Sequence, residues 1–258
     1  MISVRRGTAR HHDRRGKRDV WGTFGPRDRP DGLADGFNAL ETLDECLLPP
    51  RAEVGRHARD EAEIVTYVRI GAIAYEDSMG HSGVIHAGEF QRMCAVPGAR
   101  HSETNASRSD WAHVFQVRLH RSEPALEPGR EQRRFSTGER RGGLCIIASP
   151  DARRGSLRLA QDTRMYSALL EPGQHIVHEL AAERAAWLHL VQGEVTLGDL
   201  VLTSGDGAGV TTERAVSLTA REDSEILMFD VAGPEQPGSR PLPCSVDGHD
   251  EHHQPDQD

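Results

Sequence analysis

Two short stretches of the sequence place metal-ligating residue types at alternate positions. His57 and Arg59 lie two residues apart, and His101 and Glu103 repeat that spacing further along the chain. Side chains at alternate positions of a β-strand point to the same face of the sheet. If both faces line one barrel interior, two imidazoles and one carboxylate converge there. That set, with open positions, is the arrangement that holds non-haem Fe(II) for oxygen chemistry.

Taken singly, each of these residues has a simpler interpretation. A lone histidine near a turn is usually a surface or hydrogen-bonded residue, and a lone glutamate is usually solvated. The repeated spacing is what favours a joint role for the set.

The segments that must position these residues are short apolar runs rich in Val, Ile, Leu and Thr. Examples are residues 63–68, 114–119, 187–191 and 225–229, and Gly, Asp or Pro residues separate these runs along the chain. Helical periodicity is scarce by comparison. Many short strands separated by turn residues predict an all-β protein built as a sandwich or a barrel.

A weak internal repeat bears on the architecture. Residues 67–77 and 189–199 share one pattern of strand, glycine turn, strand and acidic turn, and a second turn follows each, Gly88-Glu89 and Gly205-Asp206. Two copies of one barrel explain the repeat most simply. The alternative is that any two β-hairpins look alike, because hairpin turns select glycine everywhere.

Composition excludes several classes of function. The formal net charge of −9 over 258 residues argues against a generic nucleic-acid binder, which needs a basic face. No stretch approaches the roughly 20 apolar residues of a membrane helix, and the first residues are rich in Arg and His where a signal peptide is apolar. The four cysteines form no Cys-x-x-Cys pair. We therefore expect a cytoplasmic protein with reduced thiols and no membrane partner.

Several motifs together closely resemble the pirin family of bicupins. The resemblance runs from about Gly36 to Val231, and the segment around His101 and Glu103 is highly specific in that context. The matching stretches are EIVTYV at 63–68, DSMG at 77–80, GVI at 83–85, AGEFQRM at 87–93, RHSE at 100–103, EQRRF at 131–135 and SPDAR at 149–153.

The resemblance implies two tandem cupin-like β-barrels, the first metal-binding and the second degenerate and metal-free. The expected organisation is a basic N-terminal segment over 1–35, an N-terminal cupin over 36–121, an inter-domain connection over 122–164, a C-terminal cupin over 165–231 and a disordered acidic tail over 232–258.

The resemblance also implies a ligand set. His57 matches the family's first metal ligand, His101 the third and Glu103 the fourth, whereas Arg59 stands where the second histidine belongs. A guanidinium keeps its proton and offers no lone pair, so Arg59 is not a ligand. We hypothesise that an Arg59–Glu103 ion pair competes with the metal, with Glu61 as the rival partner of Arg59.

The second copy lacks such pairs. His175 and His178 fall near its first-motif position without a His-x-His or His-x-Glu pair, so we expect them to be ordinary hydrogen-bonding residues. Its interior should be packed by apolar side chains such as Trp187, Leu190 and Leu197.

Two functions follow as expectations. In the first, a divalent metal, Fe(II) by preference, is held by His57, His101 and Glu103 and supports quercetin 2,3-dioxygenase-like chemistry on a small phenolic substrate. Glu103 then serves both as a ligand and as the base that takes the substrate hydroxyl proton. In the second, Arg59 marks a non-catalytic protein that keeps its barrels to bind a small ligand or a protein partner. Either protein is expected to be a monomer that does not contact nucleic acid directly.

Overall fold

The computed structural model describes residues 1–25, 32–54, 63–94, 101–120 and 129–233. Most of these residues lie in strands, which confirms the all-β prediction. The strands are β1 (Ile2–Arg5), β2 (His11–Arg15), β3 (Arg18–Gly22), β4 (Leu40–Leu48), β5 (Glu63–Ile70), β6 (Ala72–Asp77), β7 (Ser82–His86), β8 (Glu89–Cys94), β9 (His101–Asn105), β10 (Ala112–Leu119), β11 (Gly129–Arg134), β12 (Cys145–Ser149), β13 (Leu157–Arg158), β14 (Thr163–Leu170), β15 (His175–Glu179), β16 (Arg184–Gln192), β17 (Glu194–Leu197), β18 (Leu200–Thr203), β19 (Gly207–Val210), β20 (Ala215–Ala220) and β21 (Ser224–Ala232).

Helical structure in the described ranges is short. A four-residue helix, α1 (Thr137–Arg140), begins with a capping box in which Ser136 and Glu139 satisfy each other's backbone amides. Single 3-10 turns occupy Gly7–Ala9 and Arg153–Gly155. None of these helices has the length and apolar character needed to cross a membrane.

Two tandem barrels are each built from a large and a small sheet. The first combines the sheet β11-β8-β5-β10-β4-β3-β2 with the sheet β7-β6-β9. The second combines the sheet β1-β19-β16-β21-β14-β12-β13 with the sheet β15-β20-β17-β18. The predicted tandem arrangement is therefore confirmed.

The internal repeat corresponds to equivalent elements of the two barrels. Gly71 links β5 to β6 and Gly193 links β16 to β17, with φ of +82° and +96°. A Cβ at Gly193 would lie 2.5 Å from the Asp223 carbonyl oxygen, and one at Gly71 would lie 2.9 Å from that of Trp111. Glycine is required at both turns because they combine a left-handed backbone with close packing.

Segments outside the predicted barrel limits complete both large sheets. From the N-terminal segment, β1 pairs with β19 of the second barrel, whereas β2 and β3 extend the first barrel beyond β4. From the predicted connection, β11 pairs with β8 of the first barrel, and β12 pairs with β14 of the second. These strands cover sheet edges that would otherwise expose unpaired backbone groups.

The large sheets of the two barrels share an apolar core, here called the inter-barrel core. Its largest members are Tyr67, Phe90 and Phe115 from the first barrel and Trp187 and Phe229 from the second. The prediction that Trp187 packs inside the second barrel is wrong. Leu190 and Leu197 do lie in that interior, but alternation along β16 turns Trp187 to the opposite face, toward the first barrel.

Three features of the sequence analysis lie partly or wholly outside the described residues. Residues 234–258, nearly all of the predicted acidic tail, are among them, and so is Cys244. The other three cysteines, Cys46, Cys94 and Cys145, are free thiols as predicted. His57, Arg59 and Glu61 also fall outside the described ranges.

Candidate metal centre

Strand β9 carries the two predicted ligands that the structure describes. Glu103 pairs with Tyr75 of β6 in register, and His101 pairs with Asp77. Since they are two residues apart on one strand, their side chains share a face. The Glu103 side chain points into the first barrel, where Gln116 of β10 donates a hydrogen bond from Nε2 to Oε2 at 2.5 Å. Glu103 is only 3% exposed.

Burial has the largest effect on the electrostatics of the Glu103 carboxyl. Burial raises the pKa of its carboxyl, while the charge of Arg130 and the hydrogen bond from Gln116 partly offset that rise. Within the described ranges, the hydrogen bond from Gln116 reaches one oxygen and leaves Oε1 without such a bond. A metal-ligating carboxylate commonly has one hydrogen-bonded oxygen in this way. The chemistry of Glu103 therefore fits one ligand of a divalent metal.

A row of polar residues crosses the interior face of the large sheet next to Glu103. Gln116 pairs in register with Asp44 on one side and with Thr66 on the other, and Thr66 pairs with Gln91. Gln116, Thr66 and Gln91 are buried, and Gln116 Nε2 lies 3.4 Å from Thr66 Oγ1. Burial raises the pKa of Asp44 to about 6, and the charge of Arg118 partly offsets that rise.

The second barrel has no such row. Counting from Gly71 and Gly193 along the paired strands, Leu218 occupies the position of Glu103, and Val216 that of His101. Counting in the same way, Leu188, Met228 and Ala208 replace Thr66, Gln116 and Gln91, and all five replacements are buried. None of these five side chains offers an oxygen or nitrogen ligand, so these positions of the second barrel lack the donors that the first barrel provides for a divalent cation.

The two histidines singled out in the second barrel make ordinary hydrogen bonds, as predicted. His178 Nε2 lies 2.9 Å from Asp230 Oδ2, and His175 Nδ1 lies 2.9 Å from Thr219 Oγ1. A hollow of about 1230 Å³ opens beside this end of the barrel. Two of its charged groups are paired: Arg184 contacts Asp162 and Asp230, and Glu213 binds the amino group of Met1.

Sequence reasoning missed Gln116, Gln91 and Arg130. One signal was present: Gln116 is a polar residue within the otherwise apolar run Val114–Val117, where strand burial on both faces makes an uncharged amide unusual. Of the predicted ligands, His101 and Glu103 are brought to one strand face, whereas His57 is outside the described residues. Among the described residues, no group of three or more His, Cys, Asp or Glu side chains could hold a metal ion.

Comparison with known proteins accounts for this geometry. A family model described as pirin matches residues 31–119, and one described as the quercetinase C-terminal cupin domain matches residues 146–231. A quercetin 2,3-dioxygenase of Escherichia coli (strain K12) is 37% identical over 231 residues, which cover 90% of this chain and 99% of that protein. The chain belongs to the pirin family.

Solved and curated relatives agree with this assignment. The crystal structure of the bacterial pirin YhhW from Escherichia coli in complex with nickel(II) matches with a TM-score of 0.83 and 36% identity, covering 91% of this chain and all of that one. A pirin-like protein of Caulobacter vibrioides is 31% identical over 76% of this chain and 84% of its own. Pirin and cupin are thus the family and the fold, and the quercetinase and pirin-like relatives imply a metal cofactor.

Proposed function

We propose that this pirin is a metal-dependent dioxygenase of quercetin-like flavonols. His101 and Glu103, together with His57, would hold the metal, with Fe(II) as the physiological ion. The observation that carries the proposal is the contrast between the barrels: a buried carboxylate beside a row of polar side chains in the first, and leucine, methionine and alanine at the equivalent positions in the second.

The chain's own residues have distinct tasks in this proposal. Gln116 orients the Glu103 carboxylate through the hydrogen bond to Oε2. Glu103 would also take the proton from the substrate hydroxyl, a second role that requires its carboxylate to stay ionised beside the metal. When bound, the metal supplies a Lewis acid for the substrate oxygens and the redox chemistry needed for reaction with O2.

Metal analysis of the purified protein beside an aerobic quercetin assay tests the proposal. We expect about one equivalent of iron per chain, and loss of the flavonol absorption band on incubation in air. Protein that contains no metal and also leaves quercetin unchanged after loading with Fe(II) or Ni²⁺ would contradict it.

Arg59 favours a second candidate, a non-catalytic binding protein. Its guanidinium replaces a ligand that the resemblance assigns to histidine, and it cannot bind a cation. This candidate predicts saturable binding of quercetin or a similar phenol by the purified protein without any consumption of O2.

Replacing Arg59 by histidine is expected to raise the affinity for Ni²⁺ and Fe(II) at least about tenfold, equivalent to about 1.4 kcal/mol. On the hypothesis that Arg59 pairs with Glu103, the substitution adds an imidazole ligand and removes the competing charge. Isothermal titration of both ions into the wild type and the variant measures the change. The control is Arg108→His, which removes an equal charge at an exposed position. Wild-type affinity equal to that of R59H would show that Arg59 does not compete with the metal.

A further inference from the structure

We propose that Arg130 binds an ionised hydroxyl of the flavonol and so selects substrates that carry an acidic phenol away from the metal-binding oxygens. The inference rests on the proposed function and narrows its substrate class. It is carried by the placement of one guanidinium at the inner wall of the first barrel.

Arg130 lies on β11, the strand that edges the large sheet of the first barrel. It pairs with Met93 of β8, and Met93 pairs with Ile64 of β5. This row of paired residues lies two positions along the strands from the pair of Gln91 and Thr66, and so on the same face of the sheet. In the second barrel, Val210 of β19 occupies the position of Met93, and it pairs with Ile2 of β1. Ile2 is therefore the equivalent of Arg130. The cation therefore belongs to the barrel with the candidate metal centre, and an apolar residue takes its place in the other.

Three contacts fix the orientation of the guanidinium. Its carbon lies 4.5 Å from the centre of the Tyr75 ring, and Nη1 donates to Gln91 Oε1 at 3.0 Å. Nε lies 3.5 Å from Asp77 Oδ2. Nη2 donates no hydrogen bond to any residue in the described part of the chain, and the side chain keeps 12% of its exposure. Protein contacts thus engage Nε and Nη1, which leaves Nη2 as the donor for a ligand.

The nearest carboxylate to the Arg130 guanidinium, that of Asp77, has other hydrogen-bond partners. Asp77 accepts hydrogen bonds at Oδ1 from the backbone amides of Met79 and His81, and its Oδ2 lies 3.1 Å from His81 Nδ1. Its carboxylate is therefore satisfied mainly within its own turn. The Tyr75 ring on which Arg130 stacks belongs to the residue that pairs in register with Glu103. A ligand that contacts Glu103 is consequently within the field of Arg130.

A phenolate is the ligand group that suits this arrangement. Guanidinium groups form strong, oriented hydrogen bonds to anionic oxygens, and a cation already stacked on Tyr75 and bonded to Gln91 loses little side-chain entropy on binding. Quercetin carries several acidic hydroxyls on rings other than the one with its 3-hydroxyl. The parent 3-hydroxyflavone has the same 3-hydroxyl and 4-carbonyl without those additional hydroxyls.

The test compares the binding of these two flavonols, measured by fluorescence quenching at mildly alkaline pH, in the wild type and in variants. We expect R130Q to weaken quercetin binding about tenfold, the loss that follows removal of one hydrogen bond to a charged group. Binding of 3-hydroxyflavone should change less than about twofold. R130K, which keeps the charge but not the planar fork, should lie between R130Q and the wild type. The control is R134Q, which removes an exposed arginine from the same strand.

Nickel titration of each variant separates a binding role from damage to the metal centre. We expect R130Q and R130K to retain wild-type nickel affinity or exceed it, because a neighbouring positive charge has been removed or preserved. Equal losses for both flavonols, or no loss for quercetin, would overturn the assignment. If R130Q does not fold, R130K alone decides between these outcomes. A wild type that neither binds nor consumes quercetin would instead disprove the proposed function, and the assignment with it.

Discussion

Replacing Glu103 by glutamine is expected to lower the affinity of the protein for Ni²⁺ by about a hundredfold or more. Loss of a residue that only supports a metal ligand lowers metal affinity by about 10–100-fold. Loss of a charged ligand itself should therefore lower the affinity by about 100-fold or more. The neutral amide fits the same space beside Gln116. The thermal stability of the metal-free protein should stay equal or rise, because a buried carboxylate is replaced by a group that costs less to bury.

Glu76→Gln is the matched control. Glu76 is exposed on the neighbouring strand and pairs with Ser102, so its side chain lies on the opposite face from the Tyr75–Glu103 pair. It should bind nickel as the wild type does. Equal nickel affinity in E103Q and the wild type would remove Glu103 from the metal centre.

Replacing Glu225 by alanine is expected to destabilise the protein by about 3 kcal/mol, because removing one partner of a buried ionic network leaves the charges of the other partners uncompensated. Glu225 Oε1 accepts hydrogen bonds from the Tyr67 hydroxyl at 2.6 Å and from Arg140 Nη1 at 3.0 Å, and Oε2 accepts one from Arg69 Nε at 2.8 Å. Burial alone would raise the pKa of the Glu225 carboxyl, but these hydrogen bonds and cations hold it below its usual value. The network joins the two barrels.

Thermal denaturation measures the effect, with an expected fall in Tm of about 10 °C for a chain of this size. The control is Glu171→Ala, which removes an exposed carboxylate. Glu171 Oε1 lies 3.9 Å from Nε of Arg141. Such surface pairs contribute at most about 1 kcal/mol. A Glu225 variant that melts within about 2 °C of the control would show that the network does not hold the barrels together.

The parts of the fold that follow local rules could be predicted from the sequence. Gly71 and Gly193 mark the hairpins of two equivalent barrels because each turn needs a left-handed backbone. His101 and Glu103 lie on one face of β9 because side chains two residues apart on a strand point the same way. These features depend on neighbours within a few residues.

The features that were missed depend on contacts between distant segments. Tyr67 and Glu225 are 158 residues apart, and no periodicity in either strand indicates that they meet. Strand β11 is largely polar and exposed, so its sequence is typical of a loop, although it forms the edge of a sheet and carries Arg130. Trp187 was assigned to the wrong core because a fully buried strand has apolar residues on both faces, which leaves the face undetermined.

Oxygen uptake on addition of quercetin tests the central claim most directly. Wild-type protein loaded with Fe(II) should consume O2 as the flavonol disappears, with one O2 used per quercetin, whereas E103Q treated in the same way should consume neither above the rate of buffer with free Fe(II). Uptake by E103Q equal to that of the wild type, or a metal-loaded wild type that leaves both O2 and quercetin unchanged, would contradict the assignment of a catalytic metal centre to the first barrel.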